Sequence, residues 1–404
     1  MKKHLLLIVA LFVASASYGE AQNSKDSSNG TVTANETTLS DQSDVAVTVY
    51  NNNLALVRDR RMLTLPSGEL SLKFTDVAAQ IKPETVSLKS LTTPGKLRIL
   101  EQNYEYDLMS PQKLMEKYVG RDVRLINKNK DLSFYEVKAK LLSVNNGPVY
   151  EIEGDIYLDH PGSVVLPEIP EELIAKPSLI WLLDNDAKDH EVEATYLTEG
   201  LSWKADYVLT LATDDKSLDV EGWVTLNNQS GATYTNAQLK LVAGDVNIVQ
   251  PERQMMFGGG ARGGMAKAMA PPMREESFAE YHLYSLARRT TIKQNQSKQV
   301  SLLRAAEVKV TKVYEFRGNL SYYSRVVPQF EKENASVFLV FQNEKENQLG
   351  MPLPGGIMRV YQADSEGMLQ FAGEDRLQHT PKDEEVKLRL GKAFDIMGER
   401  KQTD

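Results

Sequence analysis

Residues 201–247 read LSWKADYVLTLATDDKSLDVEGWVTLNNQSGATYTNAQLKLVAGDVN. Two turn clusters, Asp214-Asp215-Lys216-Ser217 and Asn227-Asn228-Gln229-Ser230-Gly231, divide the stretch into three runs. In the middle run Leu218, Val220, Gly222, Val224 and Leu226 fall on one face. Asp219, Glu221, Trp223, Thr225 and Asn227 fall on the other. A strict period of two predicts an antiparallel strand with one buried face. The stretch carries no recognisable catalytic chemistry.

The same alternation recurs outward from it. Val45, Val47 and Val49 alternate with Ala46, Thr48 and Tyr50 up to the turn Asn51-Asn52-Asn53. Runs over 54–65 and 70–74 flank the turn signal Pro66-Ser67-Gly68, and a short run begins at Val86. The clearest helix follows. Ser110 is placed to cap it, Pro111 suits its first position, and Gly120 is placed to end it. Leu114, Met115 and Tyr118 share one side of that helix. Runs over 123–126, 137–144 and 149–152 then predict tightly turned strands, which suggests a small Sm- or SH3-like barrel. Four prolines, from Pro161 to Pro177, mark an irregular crossing that ends at Leu179-Ile180-Trp181-Leu182-Leu183. Beyond residue 247, strands are predicted over 279–286, 299–303, 307–316, 336–342, 356–361 and 385–390, with a hairpin at Asp364-Ser365-Glu366-Gly367. The expected fold class is mainly β: antiparallel β-sandwich domains, a small barrel-like β module and few short helices.

A chain of 404 residues predicts two or three domains with sizeable cores. Lys2 and Lys3 precede an apolar run over 5–13 and small residues through Ala21, the layout of a secretory signal peptide. The expected organisation is a signal peptide over 1–21, a disordered Ser/Thr/Asn-rich linker over 22–44 and an N-terminal β module over 45–105. A small helix-plus-β module over 106–180 and a sandwich domain over 181–404 complete it. Within the last, residues 251–275 hold a flexible loop rich in Met and Gly. The expected location is periplasmic or secreted, without a membrane-spanning segment after signal cleavage. The net charge of −8 argues against nucleic acid as the main partner. Cysteine is absent, which excludes thiolate metal sites, Cys nucleophiles and disulfides.

Candidate chemistry is sparse. Gly258-Gly259-Gly260-Ala261-Arg262-Gly263-Gly264 lacks the Lys-Ser/Thr pair of a phosphate loop, with Met265 where the lysine would stand. Met255, Met256, Met265, Met269 and Met273 offer soft apolar contact, or Cu(I) ligation, or an inert linker. His160, His190, His282 and His379 are widely spaced and form no local zinc motif. No Gly-x-Ser-x-Gly occurs. Glu151, Glu153 and Asp155 would share one strand face, as a glycosidase pair would or as any solvated face would. Arg288, Arg289, Lys293 and Lys298 form a modest basic stretch. Trp203 and Trp223 read as packing anchors. No catalytic, cofactor-binding or metal-binding residue is assigned, and no cofactor is expected.

Trp203-Lys204-Ala205-Asp206-Tyr207, Val224 through Gly231 and Ala237 through Gly244 resemble the core of a bacterial family, the domain of unknown function 4139, found also in mucoidy-inhibitor-like proteins. Leu353-Pro354-Gly355-Gly356-Ile357-Met358-Arg359-Val360-Tyr361 and Gly373-Glu374-Asp375 look like its second block, and Val49 through Val57 with Phe74-Thr75-Asp76-Val77 like its opening. The resemblance implies an exported, mostly β protein with no activity to carry over. It also implies further strands beyond Lys387-Leu388-Arg389-Leu390-Gly391, so a chain ending at Asp404 is expected to be a fragment or a short form. The expected function is non-enzymatic envelope interaction or assembly, with envelope proteins or glycans as partners. The alternatives are a hydrolase acting on envelope polysaccharide or peptide, and a carbohydrate-binding module that would display aromatics such as Trp181.

Overall fold

The computed structural model describes residues 33–128, 133–170, 173–244, 273–278, 281–318 and 331–400. Strand dominates, helix is scarce, and the sheets are antiparallel or mixed. The signal-peptide segment and most of the Met/Gly-rich loop lie outside the described residues.

Residues 201–243 supply both layers of the main body. Leu201–Leu211 pairs antiparallel with Ser217–Asn228 and parallel with Gly356–Ala363, at the centre of a five-stranded sheet. The third run, Tyr234–Ala243, leaves that sheet and pairs in parallel with Gln42–Tyr50 in the largest sheet. That sheet continues through Leu54–Thr64 and Asp189–Glu199 to Ser87–Ser90. The predicted inward face holds: Leu218, Val220, Val224 and Leu226 are all buried.

The crossing between layers is a buried polar corner built by Asn227-Asn228-Gln229-Ser230-Gly231. Asn228 Nδ2 donates to Ala232 O at 2.8 Å and Ile292 O at 3.3 Å, while Asn228 Oδ1 accepts from Ser230 N and Oγ. Ala79 N donates to Ser230 O at 2.7 Å. Gly231 has φ +92°, and a Cβ there would stand 2.5 Å from the Ala79 methyl, so only glycine suits the place.

Leu97–Glu105 pairs with Ser178–Asn185, and a single continuous core runs from Val45 to Leu388. The described residues of 45–105 and 181–400 therefore share one core, because strands distant in sequence complete each other's sheets. Part of the linker expected over 22–44 is ordered strand, while residues 22–32 lie outside the described residues. Thr33–Thr37 is a strand paired in parallel with Gly68–Thr75, and Gln42–Tyr50 follows a capped turn at Thr38.

Arg61 anchors that first strand. Its side chain is 0% exposed, donating to Thr37 O at 2.9 Å, Thr75 O at 2.8 Å and Asp59 Oδ2 at 2.9 Å. Its guanidinium carbon lies 3.5 Å from the Phe74 ring centroid.

The segment between Glu105 and Ser178 is an insertion in a hairpin of this body. It has its own small core of Tyr118, Val123, Leu125, Ala139, Leu141, Tyr150 and Ile152. A narrow neck joins it to the body, where Met109 N donates to Ile174 O and Ile174 N donates to Asp107 O. Its five strands run in the order Asp155–Tyr157, Val149–Ile152, Phe134–Ser143, Asp122–Lys128, Ser163–Val165. The two edge strands do not pair, so the expected small barrel is an open sheet among the described residues. Edge strands of three residues each are too short to close the ring.

Candidate functional site

A concave site lies in the inserted module, and the helix Pro111–Lys117 forms one wall. Its start follows from the sequence: Ser110 Oγ accepts from Lys113 N at 3.1 Å and Pro111 occupies the first turn. Its end is fixed by Tyr118, whose hydroxyl donates to Glu168 O at 2.8 Å and accepts from Glu168 N at 3.2 Å. These bonds draw the returning chain over 160–168 alongside the helix.

Between helix, sheet and return is an open cleft of about 560 Å³. Leu114 and Met115 line it from the helix, Val144, Pro148 and Tyr150 from the sheet, and His160, Val164 and Leu166 from the return. The lining is mainly apolar, and the volume lies within the range of small-ligand sites, roughly 300–1,000 Å³. His160 Nδ1 accepts from Gly162 N at 3.0 Å, and the His160 amide donates to Asp159 Oδ1 at 2.7 Å. Burial pushes the Tyr150 phenol above its ordinary pKa, and the Asp159 carboxylate adds to the rise.

The other residues singled out from sequence are dispersed. Glu151, Glu153 and Asp155 do not share a strand face. Glu153 and Gly154, with φ +54° and +93°, form a tight turn between two strands. His282 Nδ1 meets Glu275 at 2.8 Å, and His379 Nδ1 accepts from Gly355 N at 3.2 Å. Among the described residues no group of three His, Cys, Asp or Glu could hold a metal ion. Arg289 bonds Asp44 and Asn236 O, and Lys298 bonds Thr291 O, so half of the basic stretch is engaged within the fold. Of the methionines, Met273 belongs to the core rather than to an exposed contact surface; the other four lie outside the described residues. Trp203 is buried as expected, and Trp223 is half-buried on the outer face. Trp181, the aromatic expected on a glycan-binding surface, is fully buried; its Nε1 donates to Gln102 Oε1 at 2.9 Å and it packs edge-on to Phe74.

One constellation mimics a hydrolase. Ser90 Oγ and Thr93 Oγ1 each lie 2.9 Å from His190 Nδ1, and Asn185 Oδ1 lies 2.9 Å from Nε2. Nε2 also reaches Ala187 O at 3.1 Å, so two carbonyl oxygens place the proton on Nε2 and leave Nδ1 to accept from the hydroxyls. His190 and Asn185 are fully buried and Ser90 nearly so. The cluster is a polar clamp between strands. Replacing His190 by Ala is expected to cost about 1–3 kcal/mol, because Ser90, Thr93 and Asn185 lose their partner in the interior. Denaturant unfolding followed by tryptophan fluorescence measures this; a change below about 0.5 kcal/mol would contradict it.

Among the described residues no helix is long and apolar enough to cross a membrane. No family model matches the chain, and neither does any curated protein or solved structure.

Proposed function

We propose that the protein is an exported member of the domain of unknown function 4139 family, periplasmic or secreted, acting in the cell envelope through contacts rather than catalysis. The main body is the scaffold, and the inserted module is the recognition element. The observation that carries this reading is the apolar cleft of about 560 Å³ in a module with its own core, joined to the scaffold by a narrow neck. Export is supported by the charged, apolar and small-residue order of residues 1–21. The residues carrying the family resemblance support the scaffold role, since they build the strands and the buried corner that join the two layers.

The cleft is tested against the other apolar surfaces. Phe394 is 91% exposed and Leu158 is 80% exposed, so a nonspecific probe has competing sites. The expected result is that wild type brightens the uncharged fluorophore N-phenyl-1-naphthylamine and that Val164→Trp, which fills the cleft, removes most of the enhancement. Phe394→Ser should retain it. If Phe394→Ser loses the signal and Val164→Trp keeps it, the cleft is not the recognition site.

A further inference from the structure

Tyr150 is 1% exposed, buried in the module core with its side chain at the cleft wall. Its hydroxyl has no hydrogen-bond partner among the described residues. Four other deeply buried tyrosines each have one. Tyr118 bonds Glu168, Tyr207 donates to Pro354 O, Tyr234 meets Ser230 and Tyr284 donates to Pro352 O. Among the described residues the buried side-chain atoms left without a partner are Asn51 Oδ1 and Trp203 Nε1, not Tyr150 Oη, so the Tyr150 hydroxyl reaches solvent and is free to donate to a ligand atom in the cleft that Tyr150 lines. His160 supplies a second group. Its Nδ1 is taken by Gly162 N–H, which puts the proton of the neutral ring on Nε2, and Nε2 has no partner among the described residues. The cleft therefore has an apolar lining and two hydrogen-bond donors.

The charge nearby narrows the acceptor. Asp159 stands close enough to the Tyr150 hydroxyl to raise its pKa, and its carboxylate would repel an anionic head. Burial keeps the phenol protonated, and so a donor. The geometry points to an apolar ligand held through one uncharged carbonyl oxygen, of an ester or amide, that accepts from Tyr150 Oη–H and His160 Nε2–H. This rests on the cleft being the recognition site.

Isothermal titration calorimetry of the full chain, with probes kept below self-association, separates the two claims. The probes are N-methyldecanamide, methyl decanoate and decanoate. The amide and the ester should each bind at least about fivefold tighter than the carboxylate, and Tyr150→Phe and His160→Phe should each weaken amide binding about fivefold, the effect of one neutral hydrogen bond. Tyr150→Phe should leave thermal unfolding unchanged, because the hydroxyl has no protein partner to lose. Amide binding without the ester restricts the ligand to amides, within the proposal. Decanoate binding as tightly as the amide, an unaltered Tyr150→Phe, or no binding of any probe by wild type would overturn the carbonyl assignment. If Val164→Trp abolishes binding while Tyr150→Phe is neutral, only the ligand class is wrong. If Val164→Trp leaves every probe bound as before, the cleft reading falls as well.

Discussion

Arg61→Ala is expected to lose about 3–5 kcal/mol of stability, the usual cost of removing one partner from a buried ion pair. The reason is what remains. Asp59 is buried in the largest sheet, Thr75 O loses the Arg61 donor, and Thr37 O keeps only the Thr75 hydroxyl among the described side chains. Burial already raises the Asp59 carboxyl above the ordinary carboxylate range, with Arg61 opposing the rise. Without Arg61 the rise is greater. A folded-state pKa above the unfolded value means stability that is full below the unfolded pKa and lost as pH climbs through the folded one. The deficit of Arg61→Ala should therefore be smaller near pH 4 than near pH 7. The double variant Asp59→Leu/Arg61→Met removes both charges and should recover most of the loss. All three tryptophans, Trp181, Trp203 and Trp223, belong to the main body, so their fluorescence follows this core without interference from the inserted module. A deficit that is the same at both pH values, or a double variant no better than Arg61→Ala, would refute the account.

How legible the fold was depends on how local the cause is. The strand over 217–228 and the helix at Pro111–Lys117 were readable because alternation, a cap and a first-turn proline act within a few residues. The exchange of layers after Asn228 was not, since it depends on Tyr234–Ala243 meeting Gln42–Tyr50 across nearly two hundred residues. Thr33–Thr37 was hidden for a similar reason. Its composition reads as a linker, and it becomes a strand because Gly68–Thr75 pairs with it and Arg61 ties down its last carbonyl. Glu151, Glu153 and Asp155 misled because the Glu153-Gly154 turn is signalled only by one glycine. The cleft was half legible. Its helix and strands were predicted, but an unpartnered Tyr150 hydroxyl is a property of packing that no spacing encodes.

The pair Gly355-Gly356 puts the same lesson in a form that can be measured. Sequence alone treats the two glycines of Leu353-Pro354-Gly355-Gly356-Ile357 as equivalent; the structure does not. Tyr207 Oη donates to Pro354 O at 2.7 Å and Tyr284 Oη to Pro352 O at 3.0 Å, which fixes how this segment enters the strand Gly356–Ala363. Gly356 then lies directly beside Ala205 in the parallel pairing, and a Cβ on it would stand 2.3 Å from Ala205 O. That neighbour is backbone in the central strand and has no rotamer to swing aside. Gly355, one residue earlier, would meet nothing nearer than 3.4 Å. Gly356→Ala should therefore cost on the order of 3–4 kcal/mol, by prising apart two strands at the middle of the core, while Gly355→Ala should stay within about 1 kcal/mol. Tryptophan-monitored unfolding of the two variants decides it. A larger loss for Gly355→Ala would mean that the parallel pairing of Ala205 with Gly356 is not the register the protein adopts.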